Sequence, residues 1–231
     1  MIQPLTQNVS AAGPCTWSVD EFYGLVEQQL VSADAPIELV DGEVCQLPVC
    51  EQLDRHISLL TYQIRRALAQ LGCEGLSVQS HQPIKLNDCC ELKPAIAVVE
   101  SPTTRSHVID CAHSNSSSSL RWVLDIADEG LNQRGTRRSQ LFAQSAVCDY
   151  WSVTVSQAEL RTYQGPTAAG YQRCELRQVG EPVTPASLPQ ISLCMQEPLP
   201  LYFLTRSLKG QRTYTTAAPP LQVCSLSRRV S

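Results

Sequence analysis

Hydrophobic positions along the chain switch between helical and strand spacing, and the switches divide it into a series of short elements. Ser18 and Glu21 form a capping box, and Phe22, Leu25, Val26 and Gln29 continue at helical spacing, which predicts a first helix to about Leu30. Two strand-like runs in "PIELVDGEVCQLP" (36–48) flank Asp41-Gly42, a dipeptide suited to a two-residue hairpin turn. Between residues 51 and 71, Leu53, His56, Leu60, Ile64, Ala67 and Leu71 share one helical stripe with Arg65 and Arg66 turned away, and Gly72 ends this second helix. Strands are expected in "LSVQSHQPIKL", in "PAIAVVE" and, beyond a serine-rich loop, in "RWVLDIA". A short helix, "NQRGTRRSQLFAQSA", then sets Leu141 and Phe142 inward and Arg134, Arg137 and Arg138 on its polar side. "DYWSVTV" and "ELRTYQ" form a strand pair, "YQRCELRQV" adds a strand, and "LPQISLCMQEPLP" closes the compact part.

This mixed order predicts an α/β (α+β) fold with one domain over residues 16–200, preceded by an N-terminal extension of residues 1–15. From Leu201 to Ser231 there are five basic residues, no acidic ones and little periodicity, which predicts a basic, disordered tail. A formal net charge of −4 repels a phosphate backbone, so holding DNA would take a local basic patch. Residues 1–15 lack the charged and apolar regions of a signal peptide, and no segment approaches the roughly 18 apolar residues of a membrane span. The expectation is a soluble, cytoplasmic protein. Eleven cysteines is an odd number in a chain too long for a disulfide scaffold, so they read as reduced, small apolar fillers. A zinc role through His107, Cys111 and His113 is the competing use of that segment.

Few residues stand out for chemistry on pattern alone. Asp125 interrupts an apolar strand between Leu124 and Ile126, and a buried carboxylate there needs a partner. Glu38 and Asp41 can be hairpin polar groups, His56 a core histidine, and Arg134, Arg137 and Arg138 a solvated helix face. In "ELKPAIAVVE" (91–100), Ala95 follows Pro94 at the opening of a buried strand.

The order of "ELVDGE", a helix bearing His56, "PAIAVV", "WVLDI", the basic helix and "VCDYW" resembles the Uma-two (DUF eight-twenty) restriction-endonuclease family, a branch of the PD-(D/E)XK nuclease superfamily. The likeness spans about Trp17 to Pro198. It implies a restriction-endonuclease-like mixed central sheet flanked by helices, with DNA and a second copy of the chain as candidate partners. It also implies Mg²⁺ (or Mn²⁺) held by carboxylates from neighbouring strands, with a lysine beside them.

Carried over residue by residue, that pattern is incomplete here. Glu38 keeps the first acid, and Asp125 stands where the central strand has Glu. Ala95 replaces the metal-binding Asp, Lys93 brings a positive charge beside it, and Arg138, 13 residues from both Asp125 and Trp151, replaces the Lys. Glu38, Asp125 and Arg138 are therefore the expected remnant site, with Glu38 and Asp125 the metal ligands if Mg²⁺ is bound at all. Arg138 could pair with Asp125 or Glu38 when no metal is present. The implied function is a catalytically impaired or inactive nuclease homologue that needs no cofactor. The alternative is an active, divergent Mg-dependent endonuclease hydrolysing DNA phosphodiester bonds, with Glu91, Asp88 or Glu100 moved into the missing ligand's place.

Overall fold

The computed structural model of the protein describes residues 16–32, 34–47, 49–100, 115–116, 120–127, 131–178, 180–195, 201–206 and 212–214. The capping box opens α1 (Val19–Glu27): the Glu21 carboxylate accepts from the Ser18 N–H at 2.9 Å, and the Glu21 N–H donates to the Ser18 hydroxyl at 3.2 Å. The helix stops before Leu30 because Gln29 takes a left-handed φ of 57°. The hairpin forms as expected, with β1 (Ile37–Val40) and β2 (Glu43–Gln46) joined through Asp41 and Gly42, both at positive φ. At Gly42 a β-carbon would lie 2.6 Å from the Thr16 β-carbon, so only glycine lets the N-terminal strand of chain pass.

After α2 (Glu51–Gln70), "LSVQSHQPIKL" divides into β3 (Leu76–Gln79) and β4 (Ile84–Asn87). His81 at φ 53° and the nearby Pro83 turn the chain, and the two strands join different sheets. A short strand that the pattern did not signal, β5 (Cys90–Leu92), follows and leads through Lys93-Pro94 into β6 (Ile96–Glu100). Then come β7 (Asn115–Ser116), β8 (Leu120–Ala127), α3 (Leu131–Gln144), β9 (Asp149–Thr154), β10 (Glu159–Thr167) and β11 (Gly170–Arg177). Strands β12 (Pro182–Val183), β13 (Ile191–Met195), β14 (Leu201–Arg206) and β15 (Arg212–Tyr214) complete the chain's described elements.

The main sheet has the order β11-β10-β9-β8-β6-β3, with β8 and β9 parallel across the α3 crossover and the other neighbours antiparallel. One face packs on α2: Leu53, Ile57, Leu60 and Ile64 meet Ile96, Val98, Trp122, Leu124 and Trp151. On the opposite face Leu141 and Phe142 of α3 meet Ala97, Val99, Val123 and Tyr150, together with Ile84 and Leu92 of the second sheet. That second sheet has the order β2-β1-β5-β4-β7, and α1 closes on it through Val19, Phe22 and Leu39. The result is a mixed α+β fold with a central mixed sheet flanked by helices, as expected.

Two pieces of the chain beyond Pro200 are strands where a disordered tail was expected. Leu201–Arg206 pairs antiparallel with β13, and Arg212–Tyr214 pairs with Leu201–Arg206, so these two pieces of the expected tail are strands of a four-stranded sheet. "LYFLT" is a run of the apolar and aromatic residues that pleated structure favours, a local signal masked by the unpatterned sequence after it. Residues 1–15 and 215–231 lie outside the described residues, as does the His107–His113 segment. The eight described cysteines are free thiols. Among the described residues no helix is long and apolar enough to cross a membrane.

Candidate functional site

Two carboxylates from different sheets face each other across the place where the chain passes from β5 to β6. Glu38 is on β1, in the interior of the second sheet, and Asp125 is near the end of β8, at the centre of the main sheet. Their exposures are 4% and 5%, which would be prohibitive for bare charges. The connecting residues fasten to both: the Lys93 N–H donates to Glu38 Oε2 at 3.2 Å, and the Ala95 N–H donates to Asp125 Oδ1 at 3.4 Å. The strand register that pairs Ile96 with Leu124 and Ala97 with Val123 sets Ala95 opposite Asp125.

Arg138 of α3 fills the space between the acids. Its guanidinium binds Asp125 two ways, Nε to Oδ2 at 2.7 Å and Nη2 to Oδ1 at 3.0 Å, and Nη1 donates to both oxygens of Glu38. Arg138 is 5% exposed, so the solvated face expected for it is corrected: the alternative pairing with Asp125 and Glu38 is the one that forms. Burial alone pulls a guanidinium's pKa down, but the charges of Asp125 and Glu38 more than reverse it and hold Arg138 protonated. Behind it the cation lies 5.9 Å from the centre of the Phe142 ring.

A further member, Tyr150, was not among the expected site residues. Its hydroxyl donates to Asp125 Oδ2 at 2.9 Å, and burial, then the Asp125 charge, push its pKa well above the ordinary phenol value. The signal was present in the β8-α3-β9 order: parallel pairing matches Val123 with Tyr150, so Tyr150 and Asp125 lie two residues apart on one face.

The other candidates fall elsewhere. Glu91 is buried on β5, where the Tyr23 hydroxyl donates to its carboxylate, 2.8 and 2.9 Å from the two oxygens. Asp88 is exposed beside Lys85, and Glu100 pairs with Arg121. The Lys93 ammonium turns away to the Ala35 carbonyl at 3.2 Å. His56 is only half-buried, and Ile57 takes the inner position on α2. Asp149, fully buried on β9, is a structural latch that accepts from the Gln164 side chain and from the Ala186 and Ser187 N–H groups.

Mg²⁺ or Mn²⁺ requires open carboxylate oxygens. Here each oxygen of Glu38 and Asp125 already accepts from Arg138, and three carry a second bond: Glu38 Oε2 from the Lys93 N–H, Asp125 Oδ2 from the Tyr150 hydroxyl and Asp125 Oδ1 from the Ala95 N–H. An ion placed between them would meet a guanidinium at contact distance, so these residues do not fit a divalent metal. Among the described residues no group of three or more His, Cys, Asp or Glu is arranged to hold one.

Comparison with known proteins places this geometry in context. No curated protein matches the chain. A solved structure titled as a putative nuclease belonging to DUF820, from Anabaena variabilis ATCC 29413, superposes with a TM-score of 0.58 at 16% identity, over 77% of this chain and 94% of that one. The profile of the Uma2 family, described as "Putative restriction endonuclease", matches residues 19–196, and the chain belongs to that family.

Proposed function

We propose that this protein is a catalytically inactive restriction-endonuclease-like homologue, its scaffold kept for binding or assembly rather than for phosphodiester hydrolysis. One observation carries this reading: Arg138 binds all four oxygens of the two carboxylates that would have to ligate a metal, and its guanidinium fills the space between them. Hydrolysis needs an activated water and neutralisation of the charge that builds on the phosphate. Arg138 cannot serve as a base near neutral pH, and with both carboxylates turned onto it the site has no free group to orient water. Ala95 offers a methyl and a backbone N–H where a third acid would be needed.

The test is incubation of purified protein with supercoiled plasmid in Mg²⁺ and in Mn²⁺, beside calorimetric titration with each ion. No nicking and no saturable heat are expected. Cleavage abolished in both Asp125→Asn and Glu38→Gln would overturn the reading and establish a divergent Mg-dependent endonuclease.

A further inference from the structure

The buried site is short of positive charge. Glu38 and Asp125 bring two negative charges, Arg138 returns one, and the remaining donors, the N–H groups of Lys93 and Ala95 and the Tyr150 hydroxyl, are neutral. The Lys93 ammonium does not enter, since it is bound to the Ala35 carbonyl. Asp149 shows another way this fold buries an acid: it is fully enclosed and held by a side-chain amide and two backbone N–H groups, with no cation on it among the described residues. Glu38 and Asp125 differ from it in belonging to separate sheets, between which no strand pairing occurs among the described residues, with the Lys93–Ala95 crossing as the backbone link at the site. Left without a cation, the two acids would repel across that junction.

Resting on the reading that no metal is bound, we propose that Glu38 and Asp125 form a cation seat, and that Arg138 is its resident cation, joining the two sheets as a bound ion would. The geometry favours a guanidinium in particular. One edge, Nε and Nη2, matches the two oxygens of Asp125, and the remaining nitrogen, Nη1, reaches Glu38. The seat is thus selective for a planar cation with donors on two sides. Emptied of the side chain, it would accept a free guanidinium ion from solution.

Chemical rescue tests this. Arg138→Ala is expected to melt well below the native chain, and guanidinium chloride at low millimolar concentration should raise its melting temperature in a saturable way. Sodium chloride at matched ionic strength should not, and the native chain should respond to neither. Rescue should vanish in Arg138→Ala/Asp125→Asn, which lacks half of the seat. A folded Arg138→Ala protein that gains nothing from guanidinium, or that melts with the native chain, would overturn the proposal.

If Arg138→Ala does not fold, Arg138→Met asks the question by packing alone. Equal stability of Arg138→Met and the native chain would show that the charge is dispensable and overturn the proposal. Loss of stability in Arg138→Met that is recovered on adding Glu38→Gln and Asp125→Asn supports it. These outcomes are separate from plasmid cleavage: nicking by the native chain would overturn the inactive reading, whereas absent rescue overturns the cation seat and leaves that reading standing.

Discussion

Arg137 and Arg138 are neighbours on α3, and both reach the same β1-β2 hairpin, yet they meet different environments. Arg137 pairs with Asp41 at the hairpin turn, with the two side chains 41% and 46% exposed. Arg138 pairs with Glu38 three residues earlier on the hairpin and with Asp125 on the main sheet, and its side chain is 6% exposed. The chemistry is a guanidinium on carboxylate in both cases. What differs is the solvent: water screens the outer pair and weakens it, whereas the inner group has given up hydration that only its partners replace. Consecutive residues on a helix point about 100° apart, which is enough to put one at the surface and the other in the core.

The largest expected effect follows from breaking the inner pair. Arg138→Ala leaves two buried acids uncompensated, and its cost is about 3–5 kcal/mol, measured as the loss of unfolding free energy in urea. Neutralising the whole cluster with Glu38→Gln, Asp125→Asn and Arg138→Met removes both the attraction and the need for it. That triple variant is expected to lie within about 1–2 kcal/mol of the native chain. A triple variant as unstable as Arg138→Ala would mean that lost shape, and not unpaired charge, sets the cost.

A smaller effect is expected from Tyr150→Phe. It removes the hydroxyl bond to Asp125 but leaves the bidentate Arg138 contact, so a loss of about 1.5–3 kcal/mol is the range for one hydrogen bond to a charged group. The same hydroxyl sets an alkaline dependence. Burial and Asp125 raise the folded pKa above the unfolded value, so the tyrosine's contribution is complete below the ordinary phenol range, about pH 10. It is lost as pH rises from there toward the folded value, because the unfolded chain releases the proton first. Alkaline unfolding followed by phenolate absorbance should therefore show Tyr150 titrating with the unfolding transition.

Much of this arrangement was legible in the sequence. Helices and strands followed the periodicity, Asp41-Gly42 gave the hairpin, and the resemblance singled out Glu38, Asp125, Ala95 and Arg138, which the fold brings together. Three features were not legible from periodicity alone, each for a physical reason. Arg138 read as surface because a helical wheel ranks an arginine as polar, and the partners that draw it inward are 13 and 100 residues away. β5 is three residues long and carries a buried Glu91 whose partner, Tyr23, comes from α1, so no local pattern marks it. β14 looked like tail because the sequence after it is unpatterned, and what makes it a strand is its antiparallel pairing with β13, which no local pattern shows.

The smallest expected effect sharpens the comparison at its outer end. Arg137→Ala removes the exposed pair with Asp41 at a cost between about 0.2 and 1 kcal/mol, which should shrink further in high salt. Its pH dependence has a definite sign. The bond from Arg137 holds the Asp41 pKa below the ordinary carboxylate value, against a smaller opposing effect of burial. The folded pKa is thus lower than the unfolded one, so the pair's contribution is fully present above about pH 4 and is lost as pH falls through the folded value. Stability of the native chain and of Arg137→Ala should differ at neutral pH and converge in acid. A difference that survived both high salt and low pH would show that Arg137 acts through its hydrogen bond to the Gln140 side chain and the packing of its stem, and the contrast between the two arginines would then be one of shape as well as of solvent.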